Sequence, residues 1–386
     1  MAERTYFDWN ATAPLRPEAR AAMVAALGPP SNASSVHAEG RSARQAVELA
    51  RGQVAALVRA DAKNVTFTSG ATEANMLALT PMIETGAGKE PRDRLFVSGV
   101  EHPSVRGGGR FSGNAIEVVP VSGDGVIDLG ELERCLMRAE RPMVSVMLAN
   151  NETGVIQPIS DVAKIVHAAN GVLHVDAVQG AGRIDCAIDE LGADLLSIAS
   201  HKIGGPQGAG ALVRRGNIQI SDALIKGGGQ ERSLRAGTEN VAAIAGFGAA
   251  AAAADAARRA DAIRMTALRD RFEAGLKAAM PRTVVFGAKA PRLPNTTHFA
   301  VPGLKADTAL MALDLNGMAV SAGSACSSGK MQASGVLTAM GIDKDLALGA
   351  VRVSLGWTTT ETDVDGLLNA WNTLVLSLLK RHANAA

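Results

Sequence analysis

Between about residues 64 and 215, short apolar runs alternate with stretches whose apolar positions recur at helical spacing. VTFT (Val65 to Thr68) leads into a helix from Thr72, and MVSVML (Met143 to Leu148) precedes another near Ser160. VLHVD (Val172 to Asp176), DLLSIA (Asp194 to Ala199) and GALVR (Gly210 to Arg214) follow. Such alternation predicts an α/β fold, a mostly parallel sheet covered by helices on both faces. After a helical segment at roughly 240 to 280 the pattern changes. TVVF (283–286), TTHFA (296–300) and VRVSL (351–355) mix with helices near 306–315 and 361–380, which predicts a smaller α+β domain. The expected division is 15–258 for the large domain and 1–14 with 259–386 for the small one.

Composition narrows the function. The 386 residues are 47% apolar and 20% charged, with 39 Lys plus Arg against 38 Asp plus Glu. That near-neutral balance gives no basic surplus for nucleic acid or acidic lipid, so neither nucleic acid nor a membrane is an expected partner. The longest uncharged run, Val241 to Ala254, is too short and too rich in Ala and Gly to span a bilayer; it reads as a tightly packed helix. The charged N-terminal stretch MAERTYFDWN lacks the apolar core of a signal peptide. Three widely spaced cysteines (Cys135, Cys186 and Cys326) make no disulfide framework. A reduced, cytoplasmic protein is expected.

In an open parallel sheet, ligands bind beyond the carboxyl ends of the strands. After VTFT comes SGATEAN, where Gly70 permits a turn and the helix that follows offers free backbone N–H groups to an anion. After VLHV comes Asp176, with Gln179 three residues on. After DLLSIA come Ser200, His201 and Lys202, then the glycine-rich IGGPQGAG. A carboxylate, a lysine and a phosphate cradle on adjacent strand ends are the parts that hold pyridoxal phosphate. The lysine forms a Schiff base, and the carboxylate keeps the pyridine nitrogen protonated. Cys326 stands apart in SAGSACSSGK, among small residues rather than the bulky apolar neighbours of a structural thiol. That run is no P-loop, because Gly323 to Gly329 is one residue too long and Met331 follows Lys330. No Cys/His spacing forms a zinc site.

Ten motifs in chain order resemble the NifS-type cysteine desulfurases, pyridoxal-phosphate enzymes of the aspartate-aminotransferase fold (fold type I). They are YFDWNATAP, SNASSVHAEG, TSGATEAN, GVEHPSV, ANNETGVIQP, HVDAVQ, SHKIGGPQG, GGGQERSLRAGTEN, SAGSACSSGK and VRVSLG. The resemblance implies that Lys202 bonds the cofactor, Asp176 pairs with the pyridinium and Gln179 reaches the phenolic oxygen. It places His102 against the ring face, and Ala71, Thr72, Ser200 and His201 at the phosphate. Asn151 then contacts the cofactor and substrate region, and Arg352 clamps the substrate carboxylate. Thr238 would reach the phosphate of a second subunit, which implies a homodimer with shared sites. In one departure, many relatives carry serine three places before the lysine, where this chain has Ala199 and the serine stands next door at Ser200.

The reaction so implied takes sulfur from L-cysteine, releases L-alanine and leaves a persulfide on the nucleophile Cys326. Glycines 323 and 329 are candidate hinges for delivering that sulfur. A nearby cation such as His102, or the cofactor region, could favour the thiolate. The expected acceptor is a protein, such as an iron–sulfur scaffold, whose nascent cluster Cys326 could touch; no metal site of its own is expected. A selenocysteine lyase or aminotransferase of the same fold is the alternative, as is a non-catalytic sulfur carrier. Cys135 and Cys186 are read as structural.

Overall fold

The computed structural model describes residues 4–28, 30, 32–86, 90–322 and 333–383. Its main sheet contains β1 (Val65–Thr68), β2 (Arg94–Ser98), β3 (Ile116–Val119), β4 (Pro142–Met147), β5 (Val172–Asp176), β6 (Leu195–Ala199) and β7 (Gly210–Arg214). The spatial order is β1-β7-β6-β5-β4-β2-β3. From β6 through to β3 neighbouring strands run parallel, while β7 is antiparallel to both β6 and β1. Every residue of β1, β4, β5 and β6 is buried. This explains why these strands read as continuous apolar runs rather than alternating ones.

Three helices matter for the site and the core: α1 (Pro17–Leu27), α2 (Ala38–Leu57) and α3 (Ala71–Ala78). A fourth, α4 (Val241–Ala279), is 39 residues long. By length and composition α4 could cross a membrane. Its apolar half instead packs into the large core, with Phe247, Ala250 and Ala251 fully buried. A Cβ on Gly248 would lie 2.5 Å from the Ala50 Cα, so only glycine lets α4 and α2 approach this closely.

A second sheet, β8 (Val284–Val285), β9 (Thr296–Ala300) and β10 (Val351–Ser354), is antiparallel. It packs with α5 (Ala306–Leu315) and α6 (Glu361–Ala383) around Phe272, Phe299 and Trp371. Phe7 joins this cluster, carried by an N-terminal arm whose Thr5–Tyr6 pairs in parallel with Met318–Ala319. The helix α4 links the two cores: Ala254 belongs to the first and Leu268 to the second, and the expected division at 258/259 lies between them.

Candidate active site

A cleft of about 810 Å³ opens beyond the carboxyl ends of the parallel strands. All of those strand ends except that of β3 contribute to it. Ser69 to Thr72 follow β1, His102 and Ser104 follow β2, and Asn151 follows β4. Asp176 ends β5, with Gln179 just beyond, and His201 and Lys202 follow β6. The second domain closes the far side with Leu310, Val320, Ser321, Ala322 and Arg352.

Lys202 dominates the electrostatics. Its Nζ donates to the carbonyls of Asn10 (2.6 Å) and Ala11 (2.7 Å). Burial, then the guanidinium groups of Arg183 and Arg352, push its pKa down to about 7, against the opposing pull of Asp8 and Asp176. A large fraction of this amine is therefore unprotonated at neutral pH. The Asp176 carboxylate is fixed from two sides: Oδ2 accepts from Asn75 Nδ2 (3.0 Å) and Oδ1 from the Val178 N–H (3.1 Å). The same Asn75 amide donates to Ser104 Oγ (2.9 Å), which lies 2.8 Å from His102 Nδ1.

His102 caps a short helix, its Nδ1 accepting from the Ser104 N–H at 3.2 Å. An accepting Nδ1 carries no proton, so the neutral ring holds its proton on Nε2. Burial, reinforced by Lys202, lowers the pKa of His102 despite Asp176. The cationic His102 offered as a stabiliser of a thiolate is therefore disfavoured; the ring is neutral at physiological pH. His201 is likewise held neutral, its pKa pushed down to about 4 by burial, Lys202 and Arg183.

Arg352 is buried at the end of a chain of polar contacts. Its Nη2 donates to Asp8 Oδ1 (2.6 Å) and its Nη1 to the Asn151 carbonyl (2.9 Å), while Nε is buried with no partner among the described residues. The backbone of Arg352 bridges Ser321, its N–H donating to the Ser321 carbonyl at 2.6 Å. Cys326, Gly323 and Gly329 lie outside the described residues. The chain enters that stretch from Ala322, on the cleft wall, and leaves it at Ala333 and Ser334, whose hydroxyl donates to the buried Glu152 carboxylate.

Of the residues read from sequence, Ala71, Thr72, His102, Asn151, Asp176, Gln179, His201, Lys202 and Arg352 all line this one cleft. Two do not. Ser200 is fully buried; its N–H donates to the Ala209 carbonyl (3.1 Å), and its Oγ has no partner among the described residues. That Oγ lies 2.1 Å from where a Gly205 Cβ would stand, so the short 3₁₀ turn at Ser200–Lys202 sends residue 200 inward while Ala199 and His201 face the cleft. Ser200 is thus corrected from a phosphate ligand to a core residue. Thr238 lines a separate, smaller cleft of about 180 Å³, whose wall shares Ser69 and Gly208 with the first. Sequence reading gave no role to Asp8, Asn10, Asn75 or Arg183. Asp8 and Asn10 sat in plain view within YFDWNATAP, but nothing local shows that the arm folds back onto the sheet ends.

The fold and site define a chain of the class-V aminotransferase family, to which it belongs: the family model matches residues 5–367. A cysteine desulfurase IscS of Dictyoglomus turgidum is 38% identical over 382 residues, covering 98% of this chain and 96% of that protein. A cysteine desulfurase of Cereibacter sphaeroides is 39% identical, with 95% and 94% covered. Among solved structures, a NifS-like protein from Rickettsia africae superposes with a TM-score of 0.86 at 33% identity, covering 97% of this chain and 99% of that one.

The family's cofactor is pyridoxal phosphate, and the donor set here fits it. The cleft presents a partly neutral amine for an aldehyde, a fixed carboxylate for a pyridinium, and the N-terminal end of α3 for a phosphate. Gly210 at the head of β7 adds room, since a Cβ there would lie 2.6 Å from the Gly70 carbonyl carbon.

Proposed function

We propose that this chain is a cysteine desulfurase: it takes L-cysteine, releases L-alanine and leaves the sulfur as a persulfide on Cys326. The observation that carries the reading is the convergence of Lys202, Asp176 and Arg352 on one cleft whose wall runs into the segment bearing Cys326. Pyridoxal phosphate, when bound, supplies an electron sink that draws charge from the substrate α-carbon and loosens the bond to its sulfur.

The chain's own residues do the rest. Lys202 would hold the cofactor, and its amine is the group placed to move the substrate α-proton; a pKa near 7 suits it to both giving and taking a proton. Asp176 holds the ring nitrogen, and Gln179 the phenolic oxygen. Backbone N–H groups at Ala71 and Thr72, with His201, hold the phosphate. Neutral His102 would lie against the ring, and Asn151 would line the cofactor and substrate region. Arg352 receives the substrate carboxylate, its planar fork already held by Asp8 and the Asn151 carbonyl. The Cys326 thiolate attacks the substrate sulfur; the new S–S bond forms as the C–S bond breaks, and the carbon takes a proton to become alanine. Atoms balance without an external oxidant or reductant.

The working unit in this reading is a homodimer, in which Thr238, lining a cleft separate from that of its own chain's Lys202, serves a partner's phosphate. The persulfide passes to a protein acceptor such as an iron–sulfur scaffold. Buried, unpaired thiols at Cys135 and Cys186 suit a reducing cytoplasm. The deciding experiment measures alanine and sulfide from L-cysteine, wild type against Cys326→Ala. The variant should keep its cofactor and lose sulfide release. Turnover at the parental rate would refute the persulfide route, and equal activity with a keto-acid acceptor would make it an aminotransferase.

A further inference from the structure

Arg183 has no part in the reaction just described, yet it occupies a demanding position. It is 8% exposed, and its pKa, pushed down to about 10 by burial and then by Arg352, still leaves it cationic at neutral pH. Among the described residues no carboxylate lies within ion-pair distance of it. It is surrounded instead by neutral oxygens. Its Nη1 donates to the Gln179 carbonyl (2.9 Å) and to Gln179 Oε1 (2.5 Å). Its Nη2 makes longer contacts, 3.4 Å each, to the carbonyls of Trp9 and Lys202. Burying a cation without a counter-charge costs several kcal/mol. A neutral residue would fill the space more stably, so packing alone does not account for an arginine here.

The contacts indicate what it does. A guanidinium has donors and no acceptor, so the amide of Gln179 must turn its oxygen toward Arg183. The amide nitrogen is thereby turned the other way, where it donates to the Asn10 carbonyl at 2.9 Å beside Lys202 Nζ on the same oxygen. Gln179 lines the cleft, so its orientation decides whether a ligand there meets a donor or an acceptor.

We propose that Arg183 is a positioning residue: it fixes the Gln179 amide with its nitrogen toward the cofactor's phenolic oxygen and sets a positive charge behind Lys202. This rests on the reading of the cleft as a pyridoxal-phosphate site given above. Both effects disfavour the protonated form of the cofactor–lysine pair, by giving the oxygen a donor and by placing a cation near the nitrogen.

The test is the pH midpoint of the holoenzyme's visible absorption band, measured without substrate. Arg183→Met should raise the midpoint by about one pH unit, and Arg183→Lys, which keeps a charged donor, should stay within about 0.3 unit of wild type. In a Gln179→Ala background the rise caused by Arg183→Met should shrink, because the amide it acts through is gone. An unmoved or lowered midpoint overturns the proposal. So does an equal rise with and without Gln179, or a rise in Arg183→Lys as large as in Arg183→Met. Should the methionine variant not fold, Arg183→Gln takes its place. Its charge is lost, the rise persists at about half a unit, and an unmoved midpoint again overturns the proposal. A wild-type holoenzyme that shows the band but releases no sulfide from L-cysteine would refute the function alone and leave this comparison standing.

Discussion

Replacing Lys202 by methionine should make the cofactor-free protein more stable at neutral pH and less so, relative to wild type, as pH rises. The folded-state pKa of Lys202 is about 7 against 10.5 for an unperturbed lysine. Below pH 7 the amine is protonated in both the folded and unfolded states, and the wild type carries the full cost of a buried ammonium. Between 7 and 10.5 the unfolded chain holds one proton more, so wild-type stability rises with pH at about 1.4 kcal/mol per unit. The slope is half that at pH 7 itself, so the gain from pH 7 to 9 is about 2 kcal/mol. The Lys202→Met variant has no such dependence, and the hydrogen bonds to the Asn10 and Ala11 carbonyls that it loses shift the difference by a constant. Urea unfolding of the apo forms of both proteins, at half-unit steps from pH 6 to 9, isolates the lysine by subtraction. A difference that stays flat across that range, or that moves in favour of the variant as pH rises, would show that Lys202 is not depressed in the fold and would remove the basis for its role as a neutral amine.

Other consequences can be checked independently. Arg352→Lys keeps the charge but loses the fork; the KM for L-cysteine should rise about 10- to 100-fold with a smaller change in kcat, as expected for losing a bidentate charge-assisted contact. Glu231→Ala should destabilise the protein by about 3–5 kcal/mol in chemical denaturation. It removes the buried partner of Arg51, whose Nη1 and Nη2 sit 2.7 and 2.8 Å from that carboxylate, leaving it the exposed Glu48, and it frees the Phe67 N–H that also donates to Glu231. Ala199→Ser restores a hydroxyl on the cleft wall and should slow loss of cofactor during dialysis by about 10-fold if it reaches the phosphate; an unchanged rate would mean that residue 199 does not face the phosphate.

The main sheet was legible because most of its strands are buried on both faces. VLHVD and GALVR became strands of it at the expected residues, TTHFA became one of the second sheet, and the helices at 306–315 and 240–280 fell within a residue or two of expectation. What periodicity could not show was direction. The strand β7 reads like its neighbours but runs antiparallel, because the turn from Lys202 to Ala209 is too short for a helical crossover. Nor could periodicity show that the one helix serves two cores: the apolar start of the 39-residue α4 packs in the first and its charged continuation in the second.

The site divides along the same line. Residues that directly follow a strand end could be placed from the sequence, because the parallel sheet brings all such ends to one edge. This held for Thr72, His102, Asp176 and Lys202. It failed one residue away, at Ser200, because a single 3₁₀ turn decides which of two adjacent side chains faces the cleft, and no propensity tells that Ala199 faces the cleft and Ser200 the core. It failed wholly for contacts between distant segments. The carboxylate that holds Arg352 comes from Asp8, 344 positions away, and the guanidinium that orients Gln179 looks in sequence like any arginine on a loop after a strand. Burial lowers the Lys202 pKa most, and these long-range partners adjust it from there: Arg183 and Arg352 lower it further, Asp8 and Asp176 raise it. The identity of the amine is therefore a local property of the chain, but its reactivity is a property of the fold. A single charge change at 8 or 183 should retune the chemistry while leaving every recognisable motif around the lysine intact.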